Sequence, residues 1–408
     1  MDILPILSTL RRHKITALLI VLEIALTCAI VCNAVFLIAQ RMHRMDMRSG
    51  VAEHELVQVQ VATIGAQPDS RARTQEDLAA LRAIPGVQSV TLTNQLPFTN
   101  SSWNSSIELT ATQTQPTLSA TLYRGEHLPQ TLGTRLIAGR YFQPDEYAYF
   151  EDVQHDPTSI PRSSLIVIIT QALAQRLWPG ESPLGKTIYL EKIPLRVVGV
   201  VAGLIRPSLS NGDDTAQWSL VLPLRMSLGG GGDYVLRTAP SDRQRVIKAA
   251  VAVLKKLDPK RVITKQRTID DARAEFFQSD RAMTGLLVGV IVALLLVTGL
   301  GIVGLASFWV AQRRRTIGVR RALGATRSDI LHYFQTENFL LASIGIVLGM
   351  VLAYGINLLL MEHYELPRLP WGYIPAGAIA LWVIGQLAVL GPALRAAAVP
   401  PVVATRTV

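Results

Sequence analysis

Four apolar runs, each long enough to cross a lipid bilayer, leave this chain few choices of architecture: Ile15–Ala39, Met283–Val310, Phe339–Met361 and Tyr373–Leu394. About 20 apolar residues of helix span the hydrocarbon core, where backbone N–H and C=O groups find no water and must bond to one another. Four transmembrane helices are therefore predicted. The first run is too long for a signal peptide and no A-x-A site closes it. Only 17% of the 408 residues are charged, against about 25% in soluble domains. Mean hydropathy is +0.30. Together these exclude an ordinary cytosolic protein, a disordered chain and a fibrous one.

A net charge of +10 suggests nucleic acid until its distribution is read. Residues 41–280 hold 27 basic and 24 acidic groups, so most of the excess lies at the ends of the apolar runs. Arg11, Arg12 and Lys14 precede the first run, and Arg313, Arg314, Arg315, Arg320, Arg321 and Arg327 follow the second. Arg395 and Arg406 follow the fourth, whereas the link from Glu362 to Gly372 sets Glu362 and Glu365 against Arg368 alone. Positive charge stays on the cytoplasmic side, which puts both termini inside and the polar middle outside. Arg41, Arg44 and Arg48 run against this, but long translocated segments largely escape the rule. Membrane lipid is the expected partner surface, and nucleic acid is not.

The polar middle reads as an α+β extracytoplasmic domain. Leu56–Thr63 and Val87–Thr93 alternate as strands around a helix capped by Thr74-x-x-Asp77 and running to Ala83. Asp233–Arg237 and Arg261–Gln266 flank a second helix, capped by Ser241-x-x-Gln244 and running to Leu257. Two such units, 55–94 and 233–267, suggest a ferredoxin-like split βαβ subdomain with a β-rich insertion, 95–232. Within the insertion Leu165–Ile169, Thr187–Leu190, Leu195–Val201 and Trp218–Leu222 read as strands and Gln171–Leu177 as a helix. The predicted parts are residues 1–40, with the first span; 41–267, the outside domain; and 268–408, with the remaining spans and an inner loop at 311–331. From the capping box Thr268-x-x-Asp271, sequence without proline continues to Arg315. An unbroken helix of that length would be a stalk of about 68 Å.

Inside the spans, Gly285 and Gly289, and Gly345 and Gly349, keep the spacing that lets helix backbones approach. Glu23 is an intramembrane carboxylate, expected to contact a neighbouring helix. Cys28 and Cys32 have no metal-ligand or disulfide spacing and read as small apolar packing residues. Gly180-Glu-Ser-Pro-Leu-Gly-Lys-Thr187 satisfies the phosphate-loop pattern, but a helix precedes it and a strand follows, the reverse of what cradling a phosphate needs. No catalytic, cofactor or metal constellation is assigned.

Six arginines crowd residues 313–327 of the inner loop. Gly324 can end a first short helix in a left-handed conformation, and Thr326-x-x-Asp329 can cap the next. A basic helix at the membrane face can hold anionic headgroups or dock on a cytosolic protein.

At these residues the chain resembles the MacB/FtsX-type ABC transporter permeases (type VII exporters). Ile317-Gly-Val-Arg-Arg-Ala-Leu-Gly-Ala325 is similar to the family's inner-loop motif, Glu337 falls where the family has a Glu entering the third span, and Pro392–Pro401 looks like its C-terminal motif. Gly139-Arg-Tyr-Phe142, Leu177-Trp-Pro-Gly180 with Pro183-Leu-Gly-Lys-Thr187, and Arg196-Val-Val-Gly-Val200 are similar to its periplasmic core. The family's acidic residue before Ile-Gly is Thr316 here. The resemblance implies a non-catalytic permease subunit in a bacterial inner membrane. It implies an ATPase-coupling role for Arg313, Arg314, Arg315, Ile317, Gly318, Arg320, Arg321, Leu323, Gly324 and Asp329, and a partner ABC ATPase dimer that holds the ATP and Mg. It further implies a second permease copy or paralogue, allows a periplasmic adaptor and outer-membrane channel, and points to mechanotransmission: ATPase strokes move the outside domain to export or release cargo. The alternative is a regulator driving an extracytoplasmic enzyme.

Overall fold

The structure, a computed structural model, describes residues 14–62, 69–100, 102–156, 160–209, 215–229, 231–364, 372 and 374–398. Arg11, Arg12, Arg406, most of the 362–372 link and the end of the Pro392–Pro401 motif lie outside them. The longer helices are α1 (Lys14–Met45), α2 (Ser70–Arg82), α3 (Arg243–Leu257), α4 (Ile269–Phe276), α5 (Gln278–Gln312), α6 (Arg314–Ala322), α7 (Arg327–Tyr364) and α8 (Ile374–Ala397). The chain divides into two compact units, Met1–Met45 with Ser279–Val408, and Asp46–Gln278.

In the first unit, four helices among the described residues are long and apolar enough to cross a membrane: α1, α5, and stretches Arg327–Leu359 of α7 and Gly377–Ala397 of α8. Each helix covers nearly all of its apolar run and continues past the run's C-terminal end, because helical hydrogen bonding does not stop where apolarity does. The packed centre joins Ile24, Cys28 and Cys32 of α1 to Ile346 and Ala353 of α7, Ala378 of α8 and Ile302 of α5. Glycine brings α1 and α7 together. A Cβ on Gly349 would lie 2.5 Å from Cys28 Cβ and 2.6 Å from the Ala25 carbonyl oxygen, and one on Gly345 would lie 2.9 Å from Ile24 Cβ.

The second unit contains a four-stranded sheet built from both ends of its sequence: β1 (Leu56–Ala62), β2 (Val87–Thr93), β12 (Gly231–Thr238) and β13 (Val262–Thr268). The order is β13-β1-β12-β2 and every neighbouring pair is antiparallel. Alternation along β1 sends Val57, Val59 and Val61 into one core with Leu78 and Leu81 of α2 and Val246, Ala250 and Leu254 of α3. On the opposite face Gln58 Nε2 donates to Asp233 at 2.6 Å, and its Oε1 accepts from Arg267 at 2.9 Å.

The insertion forms a seven-stranded mixed sheet of order β3-β4-β10-β7-β9-β5, with β8 paired to β9 off that path. Its strands are β3 (Asn104–Ile107), β4 (Leu118–Arg124), β5 (Leu136–Gly139), β7 (Ile166–Thr170), β8 (Thr187–Leu190), β9 (Ile193–Val201) and β10 (Ser219–Leu222). A short parallel pair joins β6 (Ala148–Tyr149) to β11 (Leu224–Arg225). The fully buried run of β7 reads as a continuous Ile/Val segment because both of its faces are covered. Gly139 ends β5 at φ +75°, where a Cβ would stand 2.2 Å from the Val198 carbonyl oxygen. The Gly180–Thr187 segment runs from the helix Gln171–Leu177 into β8, and Lys186 pairs with Glu181 over the Trp178 ring. It has no strand-to-helix phosphate cradle.

Three local expectations are corrected. The stalk is not continuous: Phe277 (φ −92°, ψ 11°) separates α4 from α5, and Arg313 (φ −101°, ψ 10°) separates α5 from α6. Adjacent helical side chains diverge by about 100°, yet Phe276 and Phe277 both pack on Phe98, each with ring centroids 6.0 Å away. The backbone turns so that Phe277 is buried and Phe276, half-buried, meets the same ring. The 35 residues of α5 make a helix of about 52 Å.

Thr74 and Asp77 do not cap a helix start, because α2 begins one turn earlier at Ser70. Thr74 Oγ1 donates to the Ser70 carbonyl (2.7 Å) and accepts the Leu228 N–H (2.9 Å). Asp77 is buried, accepting from Tyr234 Oη at 2.6 Å and Arg261 Nη1 at 2.9 Å. Burial and the neighbouring carboxylate push the Tyr234 phenol well above its ordinary range. Ser241 likewise sits in the 3-10 turn Pro240–Asp242, and α3 begins after it without a side-chain cap. The Thr268–Asp271 box is formed as expected, with Asp271 N–H donating to Thr268 Oγ1 at 3.1 Å.

Removing one partner of a buried ion pair leaves the other charge uncompensated, at about 3–5 kcal/mol. Asp77→Ala should therefore destabilise the β-rich unit by that amount, read as a lowered urea midpoint of Trp fluorescence. A midpoint like that of wild type would show that the buried contact with Arg261 contributes nothing.

Candidate functional site: the inner-loop helix

The inner loop folds as α6 between two abrupt chain reversals, and each has a local cause. At its C-terminal end, Gly324 takes φ +101°. Its N–H donates to the Arg321 carbonyl (3.2 Å) and the Ala325 N–H to the Arg320 carbonyl (3.1 Å), the paired bonds of a Schellman motif. Thr326 and Asp329 then exchange a capping box. Asp329 Oδ2 accepts the Thr326 N–H at 2.9 Å, and Thr326 Oγ1 accepts the Asp329 N–H at 3.2 Å.

The helix has two chemically different sides. Ile317 and Gly318 are buried against the bundle. Arg321 Nη1 donates to the Ala397 carbonyl at the end of α8 (2.6 Å), and Arg320 stacks over Tyr333 of α7 (4.8 Å). At the preceding bend Arg313 Nη1 donates to both oxygens of Glu337 in α7, at 3.1 and 3.0 Å, with Trp309 beneath its guanidinium. Glu337 is only 1% exposed. The other side carries Arg314, Arg315 and Thr316, together with Val319 and Leu323, 44% and 82% exposed. A protruding aliphatic pair rimmed by arginines combines an apolar anchor with positive charge, the composition of a docking surface.

The structure brings Arg313, Ile317, Gly318, Arg320, Arg321 and Glu337 together at the bundle end, and leaves Arg314, Arg315 and Leu323 facing outward. Gly324 and Asp329 act on backbone geometry. Glu23 lies elsewhere, along α1: a Cβ on Gly301 of α5 would lie 2.7 Å from its carboxylate. One turn away Thr27 and Thr298 share a hydrogen bond of 2.8 Å. Gly345 and Gly349 pack on α1, whereas nothing lies within 4 Å of a Cβ at Gly285 or Gly289. Sequence reading missed Tyr333, Ala397 and the Thr27–Thr298 pair. A tyrosine and a backbone carbonyl carry no motif, and only the polarity of Thr27 within an apolar run could have flagged it.

Glu337→Ala should leave the Arg313 guanidinium with its charge half-buried and without this carboxylate, lowering the thermal midpoint of the purified chain. Arg313→Met combined with Glu337→Leu should restore part of that loss, since an apolar replacement of both partners removes the desolvation penalty as well. A double variant less stable than Glu337→Ala would refute the pairing as the cause.

Residues 15–256 match the MacB-like periplasmic core domain, and residues 288–401 match the FtsX-like permease C-terminal domain. The chain is 30% identical over 256 residues to the pyoverdine export ATP-binding/permease protein PvdT of Pseudomonas putida, covering 59% of this chain and 38% of that protein. It is 28% identical over 249 residues to the uncharacterized ABC transporter permease YknZ of Bacillus subtilis, covering 59% and 61%. The periplasmic region of MacB from Actinobacillus actinomycetemcomitans is similar at 19% identity and a TM-score of 0.35, over 57% of this chain and 97% of that structure. The chain thus spans less than two thirds of the length of either full-length relative. With the periplasmic-core match covering more than half of its residues and the permease match following in order, the chain belongs to the MacB/FtsX-type ABC transporter permease family.

Proposed function

We propose that the chain is the non-catalytic membrane subunit of an exporter whose ATP and Mg are held by a separate ABC ATPase dimer, and that α6 is its coupling helix. The two-sidedness of α6 carries this reading. Its outer face offers Leu323 and Val319 within an arginine rim. Its inner face is tied to α7 through Arg313–Glu337 and to α8 through Arg321. Load applied at the exposed side chains therefore passes into the bundle through ionic and hydrogen-bonded contacts rather than through a slack loop.

In this reading both termini and α6 face the cytosol across a bacterial inner membrane and the β-rich unit is periplasmic. The arginine cluster at 313–327 supports that orientation. Arg41 and Arg44, which run against it, are met by Asp280 of α5. We read the four-stranded sheet, from its order and antiparallel pairing, as a ferredoxin-like split βαβ subdomain. Gly285 and Gly289, open on α5, are available to a second copy or paralogue. Movement of the β-rich unit then exports or releases cargo, alone or through an adaptor and an outer-membrane channel. If the strokes instead served an extracytoplasmic enzyme, ATPase coupling would persist without cargo movement in proteoliposomes.

Leu323→Asp changes a side chain that supports no packing, so the fold should survive while capture of the ATPase from native membranes falls by at least about tenfold, a loss of some 1.4 kcal/mol. Wild-type capture and wild-type stimulated ATP hydrolysis by that variant would remove α6 as the coupling element. Arg321→Glu is the poorer probe, because it also breaks the contact with Ala397.

A further inference from the structure

Within the β-rich unit, a cavity of about 300 Å³ opens beside β4, β9 and β10, at the lower bound for pockets that take small organic ligands. Leu122, Phe150, Ile193, Leu195, Leu222 and Leu224 supply an apolar wall, and Ser105, Gln154, Ser164 and Glu191 also line it. Into this apolar setting β4 delivers a cation, Arg124. Its guanidinium carbon lies 4.1 Å from the Phe150 ring centroid and 5.6 Å from that of Trp103. Aromatic faces hold the cation's position but accept little of its hydrogen bonding, and a guanidinium carries five N–H donors.

Among the described residues no carboxylate pairs with Arg124, and its Nε is buried without a hydrogen-bond partner. The surrounding arginines are treated differently: Arg71, Arg140 and Arg225 each have a carboxylate partner. Glu191, at the cavity edge, is exposed; its charge acts on Arg124 and partly offsets the loss of water, without closing to an ion pair. Loss of water lowers the Arg124 pKa to about 10, which still leaves it charged at neutral pH. A buried N–H without an acceptor is costly, and the Arg124 Nε is one. The guanidinium is held by two rings at the edge of the leucine-lined cavity.

We propose that this cavity binds an anionic amphiphile of the fatty-acid class, its aliphatic chain in the leucine-lined space and its carboxylate accepting from Arg124. The two halves of the site select together. A small inorganic anion would leave the apolar wall uncovered, and a neutral hydrocarbon would leave the guanidinium without an acceptor. This assignment stands apart from the coupling role of α6, since it involves no residue of the membrane unit.

The test uses the full chain in nanodiscs of zwitterionic phosphatidylcholine, photolabelled with a diazirine-bearing dodecanoate and mapped by mass spectrometry of peptides. Labels are expected on peptides containing Leu122, Phe150 or Leu222. Excess dodecanoate should displace them, and dodecanol should do so at least about tenfold less well. Arg124→Met, which keeps the stacked stem, should reduce this labelling by about tenfold and erase the preference for carboxylate over alcohol. Val153→Trp, which fills the cavity from its edge, should abolish labelling with Arg124 intact. Labels confined to the four apolar helices, equal competition by dodecanol in the wild-type chain, or undiminished labelling of both variants would each overturn the proposal.

Discussion

Hydrocarbon offers a backbone amide nothing to bond to, and the first unit is organised by that lack. Its apolar runs must be helices, and any side chain that brings polarity into them must carry its own solution. Thr27 and Thr298 satisfy each other. Asn33 donates to the Ala353 carbonyl at 3.2 Å, and Asn338 donates to the Gly385 carbonyl at 2.9 Å. Glu337 is met by Arg313 from the start of the inner loop. Each contact joins two helices, so the groups that would be most expensive to leave alone also hold the bundle in register. Glycines at 345 and 349 add close approach, because dispersion between backbones replaces the hydrophobic drive that lipid removes.

The β-rich unit meets the same requirement with different means. Its four-stranded sheet buries an aliphatic core on one face, and at the edge of that core Asp77 gathers Tyr234 and Arg261. These residues come from a helix, a strand and the residue just before the last strand, far apart in sequence. A charge buried there is tolerable only because all the partners arrive together, so the site ties the two ends of the unit's sequence to one another across the long insertion. Arg124 is the contrasting case: a half-buried charge that no carboxylate among the described residues pairs with.

The inner-loop helix offers a partner a surface rather than a set of reacting atoms. The same short helix is held on one side and exposed on the other, and its boundaries are enforced by backbone devices at Arg313, Gly324 and the Thr326–Asp329 box. A rigid, well-bounded element with a protruding Leu323 suits docking by a partner better than a mobile basic loop would, since less conformational freedom is lost on binding. Belonging to a permease family and possessing this helix are separate observations that point the same way.

By itself, the sequence determined whatever depends on neighbours within a turn or two: the four spans, the strand alternation of β1 and β2, the two capping boxes at Thr268 and Thr326, the stop at Gly324 and the reversed order around Gly180–Thr187. Helical and strand periodicity and cap hydrogen bonds are local, so they can be read from residues a few positions apart. Tertiary structure alone decided which side of α6 is buried, why Thr74 and Asp77 face inward, where the long helix breaks, and that Arg124 stands at a cavity with no carboxylate in ion-pair contact among the described residues. Phe98 lies far up the chain from Phe277, and Tyr234 and Arg261 lie far down it from Asp77. The energy of burying each side chain depends on partners that no local pattern announces, and there packing overrides the preference of the segment.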